Sequence, residues 1–266
     1  MIFASDLDRT IIYSKRAMDD LEEHPVGHPK LVEIKDGEQV AYMTKAAFLA
    51  LEGLSQKSLF IPVTTRTTDQ FNRLSIFNNE IECKYAITTN GAVILEHGKP
   101  IEEWTKNVKD RLKMESVLEE ELLSIFQSEG IHFDGLKKQA GKLFFYFILN
   151  SLPSKIEMNL IHKLVKKVGW RISLQGRKLY FIPLAISKGS ALEFLCQIEG
   201  AKAIAGAGDS ILDWDFLRNC QYRFVPNHGE LAQAADTSEL IFTKSRGVCA
   251  GEEILQQFLE LLPLKV

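Results

Sequence analysis

Short apolar runs alternate with polar turns along much of the chain. Residues Ile2–Ser5, 59–63 and Ala203–Ala207 are mainly apolar, and each run leads into a turn of polar or small residues. Helical patterns follow two of these turns, near 69–78 and 214–218. A strand, a turn and a helix in repetition are typical of a parallel sheet with helices on both faces. The pattern therefore predicts an α/β core.

The middle of the chain has a different pattern. Long amphipathic helical stretches occupy 108–127 and 156–168, and several short strand-like stretches lie around them. Two helices combined with hairpin-connected strands form an α+β layer, which differs from a parallel sheet. We therefore predict a Rossmann-like parallel-sheet core built from 1–92 and 184–266, interrupted by an inserted α+β domain at 93–183.

A smaller feature precedes the second apolar run. Strand-like stretches at 31–35 and 38–43 flank the pair Asp36-Gly37. Asp-Gly between two strands is a strong signal for a two-residue hairpin turn. The segment 30–45 is therefore predicted to be a hairpin, which either lies on the surface or forms a flap over a functional site.

Composition and charge narrow the class of protein. The chain has 266 residues, of which 45% are hydrophobic and 25% charged, as in an ordinary globular protein. Its net charge is −3 with acids and bases interleaved, which argues against a nucleic-acid-binding surface. The four cysteines are scattered without CxxC spacing, which favours buried thiols over a zinc site or disulfides. No signal peptide or membrane span is predicted, so we expect a cytoplasmic protein, with its oligomeric state left open.

Two acids follow the first apolar run. In an extended chain, side chains two positions apart point the same way, so Asp6 and Asp8 are expected to face together. Neighbouring carboxylates repel each other, and such a pair is stable only with a cation or a shared proton. Acidic pairs at strand ends are also ordinary turn formers, so this pair alone does not distinguish a functional site from a simple turn.

A second polar turn offers groups that bind anions. Thr64-Thr65-Arg66 follows a strand and supplies hydroxyls and backbone N–H groups just before a helix, which suits a phosphate group. Threonine is also a good helix N-cap, and both roles are compatible. Lys188 opens another predicted helix, where the helix dipole disfavours a cation. Its position therefore suggests that it meets an anion, although a solvated lysine is the simpler alternative.

A third turn adds acids. Asp209 follows the glycines of Gly206-Ala207-Gly208, which allow the backbone to turn tightly, and Asp213 comes four residues later. The carboxyl ends of parallel strands converge on one crevice, so these acids are expected near Asp6. A first-turn acid favoured by the helix dipole is the alternative for Asp213.

In combination these segments resemble the four motifs of the haloacid dehalogenase (HAD) superfamily of phosphohydrolases. The run Thr-Thr-Asn-Gly-Ala at 88–92, followed by an inserted α+β domain, resembles the C2B-capped branch with its Cof-type sugar phosphatases and sucrose-phosphate phosphatases. The motifs that carry the resemblance are Asp6-x-Asp8-x-Thr10, Thr64, Lys188-Gly189 and Gly208-Asp209-x-x-x-Asp213.

The resemblance implies four catalytic roles. Asp6 would be the nucleophile that attacks phosphorus, and Asp8 would be the general acid and then the base. Thr64 would hydrogen-bond the transferring phosphoryl group, and Lys188 would offset its charge. Such a division of labour suits phosphoryl transfer, which depends on positioning and charge neutralisation.

The resemblance also implies a cofactor and substrate contacts. Mg²⁺ would be held by Asp6, the backbone carbonyl of Asp8 and Asp209, with Asp213 in or next to the coordination shell, because Mg²⁺ prefers oxygen ligands. The substrate-binding residues assigned on the same basis are Thr65, Arg66 and Asn90.

Three positions depart from the family pattern. Arg9 and Thr65 stand where glycine is usual, and Leu212 stands where asparagine is frequent. None of the three removes a catalytic group. The implied function is a Mg²⁺-dependent phosphatase acting on a small phosphorylated metabolite, a sugar phosphate by family analogy. A phosphomutase of the same superfamily and a degenerate ligand-binding relative remain as alternatives.

Overall fold

The computed structural model of the chain describes residues 1–21, 27–141, 143–233 and 238–263. Among these residues, no helix combines the length and the apolar character that crossing a membrane requires.

The chain divides into two compact units. The first consists of Met1–Ile101 together with Lys188–Val266, and the second is Glu102–Ser187. Both boundaries lie later in the sequence than those predicted for the insertion at 93–183. The reason at the first boundary is strand pairing, because Val93–Glu96 is hydrogen-bonded to Tyr85–Thr88 within the first unit.

The first unit begins with a strand that leads into a hairpin. Its elements in this part of the chain are β1 (Ile2–Ser5), β2 (Tyr13–Ser14), α1 (Lys15–Asp20), β3 (Lys30–Lys35), β4 (Glu38–Met43), α2 (Lys45–Ser55), β5 (Leu59–Pro62), α3 (Thr68–Phe71), β6 (Tyr85–Thr88), β7 (Val93–Glu96) and β8 (Lys99–Pro100).

The second unit combines helices with an antiparallel sheet. Its elements are α4 (Glu102–Glu115), α5 (Glu119–Ser128), β9 (Gly135–Ala140), β10 (Phe144–Leu149), α6 (Lys155–Lys167), β11 (Trp170–Gln175) and β12 (Lys178–Pro183).

The chain then completes the first unit. The remaining elements are α7 (Lys188–Ile198), β13 (Ala203–Ala207), α8 (Trp214–Leu217), β14 (Tyr222–Val225), β15 (Ile241–Phe242) and α9 (Gly247–Glu260).

A five-stranded parallel sheet forms the centre of the first unit, in the order β15-β14-β13-β1-β5. In this order β1 lies between β13 and β5, and Ser5 pairs with Ala207 on one side and Pro62 on the other. The three strands therefore end at the same level. The turns that follow them leave the sheet at one edge, as expected for the ligand-binding crevice of an open parallel sheet.

The core of this unit is apolar on both sides of the sheet. All four residues of β1 are buried. The ring of Phe258 on α9 lies 5.2 Å from Phe3 on β1 and 5.4 Å from Phe224 on β14, measured between ring centroids. Each buried side chain of this size contributes about 1.5–3 kcal/mol through removal of apolar surface from water. The predicted parallel α/β core is confirmed.

The hairpin predicted at 30–45 is also confirmed. Strands β3 and β4 pair antiparallel, and β2 extends them into a three-stranded sheet. Asp36 and Gly37 have φ values of 52° and 84°. Two consecutive positive φ values are those of a type I′ turn, which matches the twist of the flanking strands.

The second unit has a core of its own. Its four-stranded antiparallel sheet runs in the order β11-β12-β10-β9. Phe181 on β12 stacks on Phe145 of β10 at 4.9 Å, and its ring meets that of Phe126 on α5 at 5.3 Å. The unit therefore has the α+β character that the sequence predicted.

One long helix was predicted at 108–127, and this prediction is wrong because two helices, α4 and α5, occupy the region. The chain between them is held by tertiary hydrogen bonds. Ser116 Oγ donates to the carbonyl oxygen of Gly169 at 2.9 Å, and the N–H of Val117 donates to the carbonyl oxygen of Val168 at 3.1 Å.

Candidate active site

The carboxylate of Asp6 stands at the end of β1. The backbone N–H of Asp6 donates to the carbonyl oxygen of Ala207 at 2.8 Å, which extends the sheet pairing by one residue and fixes the start of the turn. The residue is only 5% exposed. Its Oδ1 accepts a hydrogen bond from Lys188 Nζ at 2.8 Å, and its Oδ2 accepts one from Thr10 Oγ1 at 3.2 Å. Both carboxylate oxygens are therefore held by the protein.

Lys188 is the buried cation of the site. It begins α7, is 1% exposed, and places Nζ 2.8 Å from Asp6 Oδ1 and 2.6 Å from Asp213 Oδ1. Burial alone lowers the pKa of a lysine, but the charges of Asp213 and Asp6 outweigh it and raise the pKa of Lys188 overall. The lysine at a helix start, which the sequence marked as unfavourable, is thus compensated by two carboxylates.

Asp213 is fixed from two sides. It is fully buried, and while Oδ1 accepts from Lys188, Oδ2 accepts from the backbone N–H and the Oγ of Ser210 at 2.9 and 2.8 Å. A Cβ atom at Gly208 would lie 2.7 Å from Asp213 Cγ, so this close approach requires glycine. Ser210 was not predicted as a site residue, although the Ser-x-x-Asp spacing of a capping box was visible in the sequence.

Asp6, Asp209 and Asp213 form an acidic cluster. Each offers one carboxylate oxygen, and these oxygens lie within 4.8 Å of one another. Burial, followed by the charge of Asp213, raises the pKa of Asp6 from 3.8 to about 7. Burial and the charges of Asp6 and Asp213 also raise the pKa of Asp209 well above its ordinary value. Three carboxylates around a single lysine leave two negative charges uncompensated when all three are ionised, and their oxygen donors suit a hard divalent cation. The cluster could therefore hold a metal ion.

The carboxylate of Asp8 has different neighbours. Its Oδ2 and Oδ1 accept hydrogen bonds from Nε and Nη2 of Arg66, each at 2.7 Å. The third nitrogen, Nη1, donates to Glu33 Oε2 at 2.7 Å. Arg66, predicted as a substrate-binding residue, thus has its guanidinium bound to two carboxylates of the protein.

The turn after β5 packs against the turn after β6. Thr64 is fully buried, and its Oγ1 accepts the N–H of Arg66 at 3.1 Å. The carbonyl oxygen of Thr64 accepts the N–H of Asn90 at 3.0 Å. Thr65, between Thr64 and Arg66 in the sequence, is partly exposed. The structure therefore brings the three predicted residues of this turn together with Asn90.

Asn90 is a buried polar residue with a left-handed backbone conformation. Thr89 and Asn90 have φ values of 52° and 57°, the left-handed region that few residues other than glycine adopt. Asn90 is fully buried. Among the described residues, neither Nδ2 nor Oδ1 of its side-chain amide has a hydrogen-bond partner. An unpaired buried polar group costs about 1–3 kcal/mol, so such a group calls for an explanation such as a ligand or an ordered water.

Sequence reasoning missed Glu33. This residue of β3 is 4% exposed, and its Oε1 accepts from Nε of Arg73 at 2.9 Å while its Oε2 accepts from Arg66. The only local signal is an acid within an otherwise apolar stretch, Leu31-Val32-Glu33-Ile34. A buried acid of this kind requires paired cations, but the sequence does not reveal which ones.

Arg9 follows Asp8 in a left-handed conformation, with φ of 64°. Its Nε lies 3.6 Å from Asp209 Oδ2, and its carbonyl oxygen lies 3.0 Å from His228 Nε2. Leu212, which departs from the family pattern between Asp209 and Asp213, is buried, with 4% of its surface exposed.

No protein-family model matches the sequence, and no significant match exists among the curated proteins. Among solved structures, sucrose-phosphatase from Synechocystis sp. PCC6803, in complex with sucrose and phosphate, is similar with a TM-score of 0.66 and 16% identity, covering 97% of each chain. A haloacid dehalogenase-like hydrolase from B. subtilis has a TM-score of 0.60 and 15% identity, with 98% of this chain and 99% of that chain covered.

A third structural neighbour is a sugar phosphatase of HAD subclass IIB, with a TM-score of 0.56 and 13% identity over 97% of this chain and 98% of that chain. The structural neighbours are thus HAD-superfamily phosphatases, sugar phosphatases among them, and the similarity extends over the whole chain. The chain has their fold, a Rossmann-like core with an additional α+β unit. The resemblance stated from the sequence motifs is confirmed at the level of the fold.

Proposed function

We propose that this chain is a Mg²⁺-dependent phosphohydrolase that removes phosphate from a small phosphorylated metabolite through a phospho-aspartyl intermediate on Asp6. The observation that carries the proposal is the arrangement around Asp6, where a buried cation, Lys188, and two further acids, Asp209 and Asp213, meet at the carboxyl edge of the parallel sheet. A phosphoryl group needs such an arrangement, because its transfer depends on charge neutralisation and orientation.

The proposed reaction has two steps. In the first, an oxygen of Asp6 forms a bond to phosphorus, the bond from phosphorus to the ester oxygen breaks, and Asp8 protonates the departing oxygen. In the second, Asp8 removes a proton from water, the water oxygen attacks phosphorus, and the acyl-phosphate bond breaks to release phosphate and restore Asp6. Asp8 ends the cycle protonated again, so atoms and charge balance.

The metal would be held by the carboxylates of Asp6 and Asp209 and the backbone carbonyl of Asp8, with Asp213 in or next to the coordination shell. When bound, Mg²⁺ would neutralise the clustered acids and the negative charge of the phosphoryl group. Lys188 remains cationic beside Asp6 and would offset further charge on the phosphoryl group.

The remaining residues would orient the substrate. Thr64 Oγ1 accepts the N–H of Arg66, so its own hydroxyl hydrogen is available to donate to a phosphoryl oxygen. Thr65 would contribute from the same turn. The unpaired amide of Asn90 supports a role in binding, because a ligand or a water held for the ligand would satisfy it. Any contact between Arg66 and substrate would compete with the bonds that Arg66 makes to Asp8 and Glu33.

We propose a sugar phosphate as the substrate. The support is the set of structural neighbours, two of which are named as a sucrose phosphatase and a sugar phosphatase. The unit Glu102–Ser187 is proposed to act as the cap domain that selects the leaving group.

The test is a phosphatase screen with the purified protein over a panel of phosphorylated metabolites, with Mg²⁺ and with EDTA. Asp6→Asn protein, purified by the same route, is the matched control for contaminating phosphatases. We expect release of phosphate from at least one sugar phosphate, loss of turnover in EDTA, and background rates for Asp6→Asn. Asp209→Ala should weaken the response to Mg²⁺ more than Asp213→Ala. Undiminished turnover by Asp6→Asn or in metal-free buffer would contradict the proposal.

A further inference from the structure

We propose that His228 is a positioning residue for the metal site, which holds the turn at Asp8 and Arg9 so that the backbone carbonyl of Asp8 keeps one orientation. The inference rests on the proposed function, in which that carbonyl is a ligand of Mg²⁺. It assigns a role to a histidine outside the motifs and explains how the left-handed backbone of Arg9 is maintained.

The peptide group that joins Asp8 to Arg9 is held through its nitrogen. The N–H of Arg9 donates to the carbonyl oxygen of Ile12 at 2.8 Å. A trans peptide group is planar, with its N–H and C=O pointing in opposite directions, so this bond also fixes the direction of the Asp8 carbonyl. Within the described ranges, the carbonyl oxygen of Asp8 accepts no hydrogen bond from the protein, which leaves it open to a ligand role.

The next peptide group is held by His228. The carbonyl oxygen of Arg9 lies 3.0 Å from His228 Nε2, and Nδ1 of the same ring accepts the N–H of Gly247 at 3.1 Å. A ring nitrogen that accepts a hydrogen bond carries no proton, so the proton of the neutral imidazole is on Nε2 and is donated to Arg9. Burial lowers the pKa of His228 to about 4, which keeps the ring in this neutral form.

These bonds enclose a backbone conformation that residues with a Cβ atom seldom adopt, since φ of Arg9 is 64°. The imidazole is itself supported by Tyr13, whose ring centroid lies 5.7 Å away and whose hydroxyl donates to the carbonyl oxygen of Thr10 at 3.0 Å. Without the bond from His228, the backbone of Arg9 could relax toward an ordinary conformation. The Asp8 carbonyl would then turn with it.

The loop that carries His228 also contacts a second segment of the metal site. It follows β14, and the N–H of Leu231 donates to the carbonyl oxygen of Asp209 at 3.0 Å. A Cβ atom at Gly229 would lie 2.7 Å from the same oxygen, so this close approach requires glycine. One loop is therefore bonded to the backbone of two segments that would supply ligands. Groups that support the ligands in this way set their orientation toward a metal.

Two substitutions separate the two hydrogen bonds of the imidazole. The amide nitrogen of glutamine can take the place of Nε2, and the amide oxygen of asparagine can take the place of Nδ1. His228→Gln should therefore keep the bond to Arg9 and lose the bond to Gly247. His228→Asn should keep the bond to Gly247, at the start of α9, and lose the bond to Arg9. A residue that only supports α9 would tolerate asparagine better, whereas the positioning role requires glutamine.

The measurement is the Kd of Mg²⁺ for the purified protein, from titration calorimetry and from the Mg²⁺-dependent rise in melting temperature. We expect His228→Asn to raise this Kd about tenfold and His228→Gln to raise it less than about threefold, because removing a group that supports a metal ligand costs about 10- to 100-fold in affinity. Adding Arg9→Gly to each variant should preserve the difference, since glycine keeps the carbonyl oxygen that His228 binds.

The matched control is His97→Asn. His97 is exposed on the turn between β7 and β8, and its φ of 47° suits asparagine, so the Kd of Mg²⁺ should match that of wild type. If His228→Asn does not fold, His228→Ala replaces it, and His228→Gln should still bind Mg²⁺ more tightly.

Equal Kd values for the asparagine and glutamine variants, or a weaker site in His228→Gln than in His228→Asn, would overturn the positioning role. A wild-type protein that shows the expected pattern of Mg²⁺ binding but hydrolyses no phosphate ester would contradict the proposed function and leave the role of His228 intact. A wild-type protein that does not bind Mg²⁺ would overturn both.

Discussion

Replacing Asp6 by asparagine should abolish turnover and yet stabilise the metal-free protein. Asparagine cannot form the acyl phosphate, so phosphate release should fall to background. The carboxamide has nearly the same shape as the carboxylate. Its oxygen can accept the hydrogen bond from Lys188, and its nitrogen can donate to Thr10, so the two contacts that hold Asp6 are preserved in kind.

The magnitude follows from the pKa of Asp6, which burial and the charge of Asp213 raise from 3.8 to about 7. An acid whose pKa is raised on folding stabilises the native state below its unfolded pKa, and this stability is lost as the pH rises through the folded pKa. One pKa unit corresponds to 1.36 kcal/mol, so the wild type should lose about 3 kcal/mol between about pH 5 and about pH 7 through this group. Asparagine does not titrate, so the free energy of unfolding of the variant does not fall in this way as the pH rises.

The assay is thermal unfolding of both proteins in EDTA at about pH 5 and about pH 8. We compare the melting temperature of Asp6→Asn with that of the wild type at each pH. For a chain of this size, about 3 kcal/mol should make this difference roughly 10 °C larger, in favour of the variant, at the higher pH than at the lower. Asp20→Asn is the control, because Asp20 is exposed and its pair with Arg16 spans 3.6 Å. The reasoning is refuted if the gain is the same at both pH values or if the variant is the less stable protein at about pH 8.

Three further changes test other parts of the structure. Arg9→Gly should lower the Mg²⁺ concentration for half-maximal activity several-fold, because it removes a guanidinium 3.6 Å from an acid of the cluster; an unchanged Mg²⁺ titration would contradict this. Gly208→Ala should reduce kcat more than tenfold and lower the melting temperature, because the new Cβ would lie 2.7 Å from Asp213 Cγ. Gly53→Ala, whose Cβ meets its nearest neighbour at 3.9 Å, should do neither. Replacing Glu102–Ser187 by a short linker should leave a protein that hydrolyses p-nitrophenyl phosphate but no longer discriminates among sugar phosphates, as phosphate-release assays on both substrate types would show.

The parallel sheet could be predicted because its signals are local. Strands buried on both faces are continuous apolar runs, and each ends in a turn whose residue types are visible in the sequence. Convergence of Asp6 and Asp209 then follows from topology, because the neighbouring parallel strands β1 and β13 end at one edge of the sheet. The hairpin was equally accessible, since Asp36-Gly37 supplies the two positive φ values that its turn requires.

What could not be predicted depends on contacts between distant segments. The break between α4 and α5 is held by hydrogen bonds to residues about fifty positions later, at Val168 and Gly169, and the helical periodicity continues through it. The partners of Asp8 illustrate the same limit within the site. The spacing of Asp6 and Asp8 predicts that the two side chains face together, but the carboxylate of Asp8 is bound by Arg66, which also donates to Glu33.

Arg9 shows how a sequence departure acquires a physical meaning. The family resemblance marks glycine as usual at this position, and φ of 64° supplies the reason, because left-handed backbone costs about 1–2 kcal/mol for a residue with a Cβ. Arg9 adopts this conformation all the same, and its guanidinium reaches an acid 200 positions later in the chain, Asp209. The strain is local and could be suspected from the sequence. The contact with Asp209 exists only because β1 and β13 are neighbours in the sheet, so it becomes visible only in the folded chain.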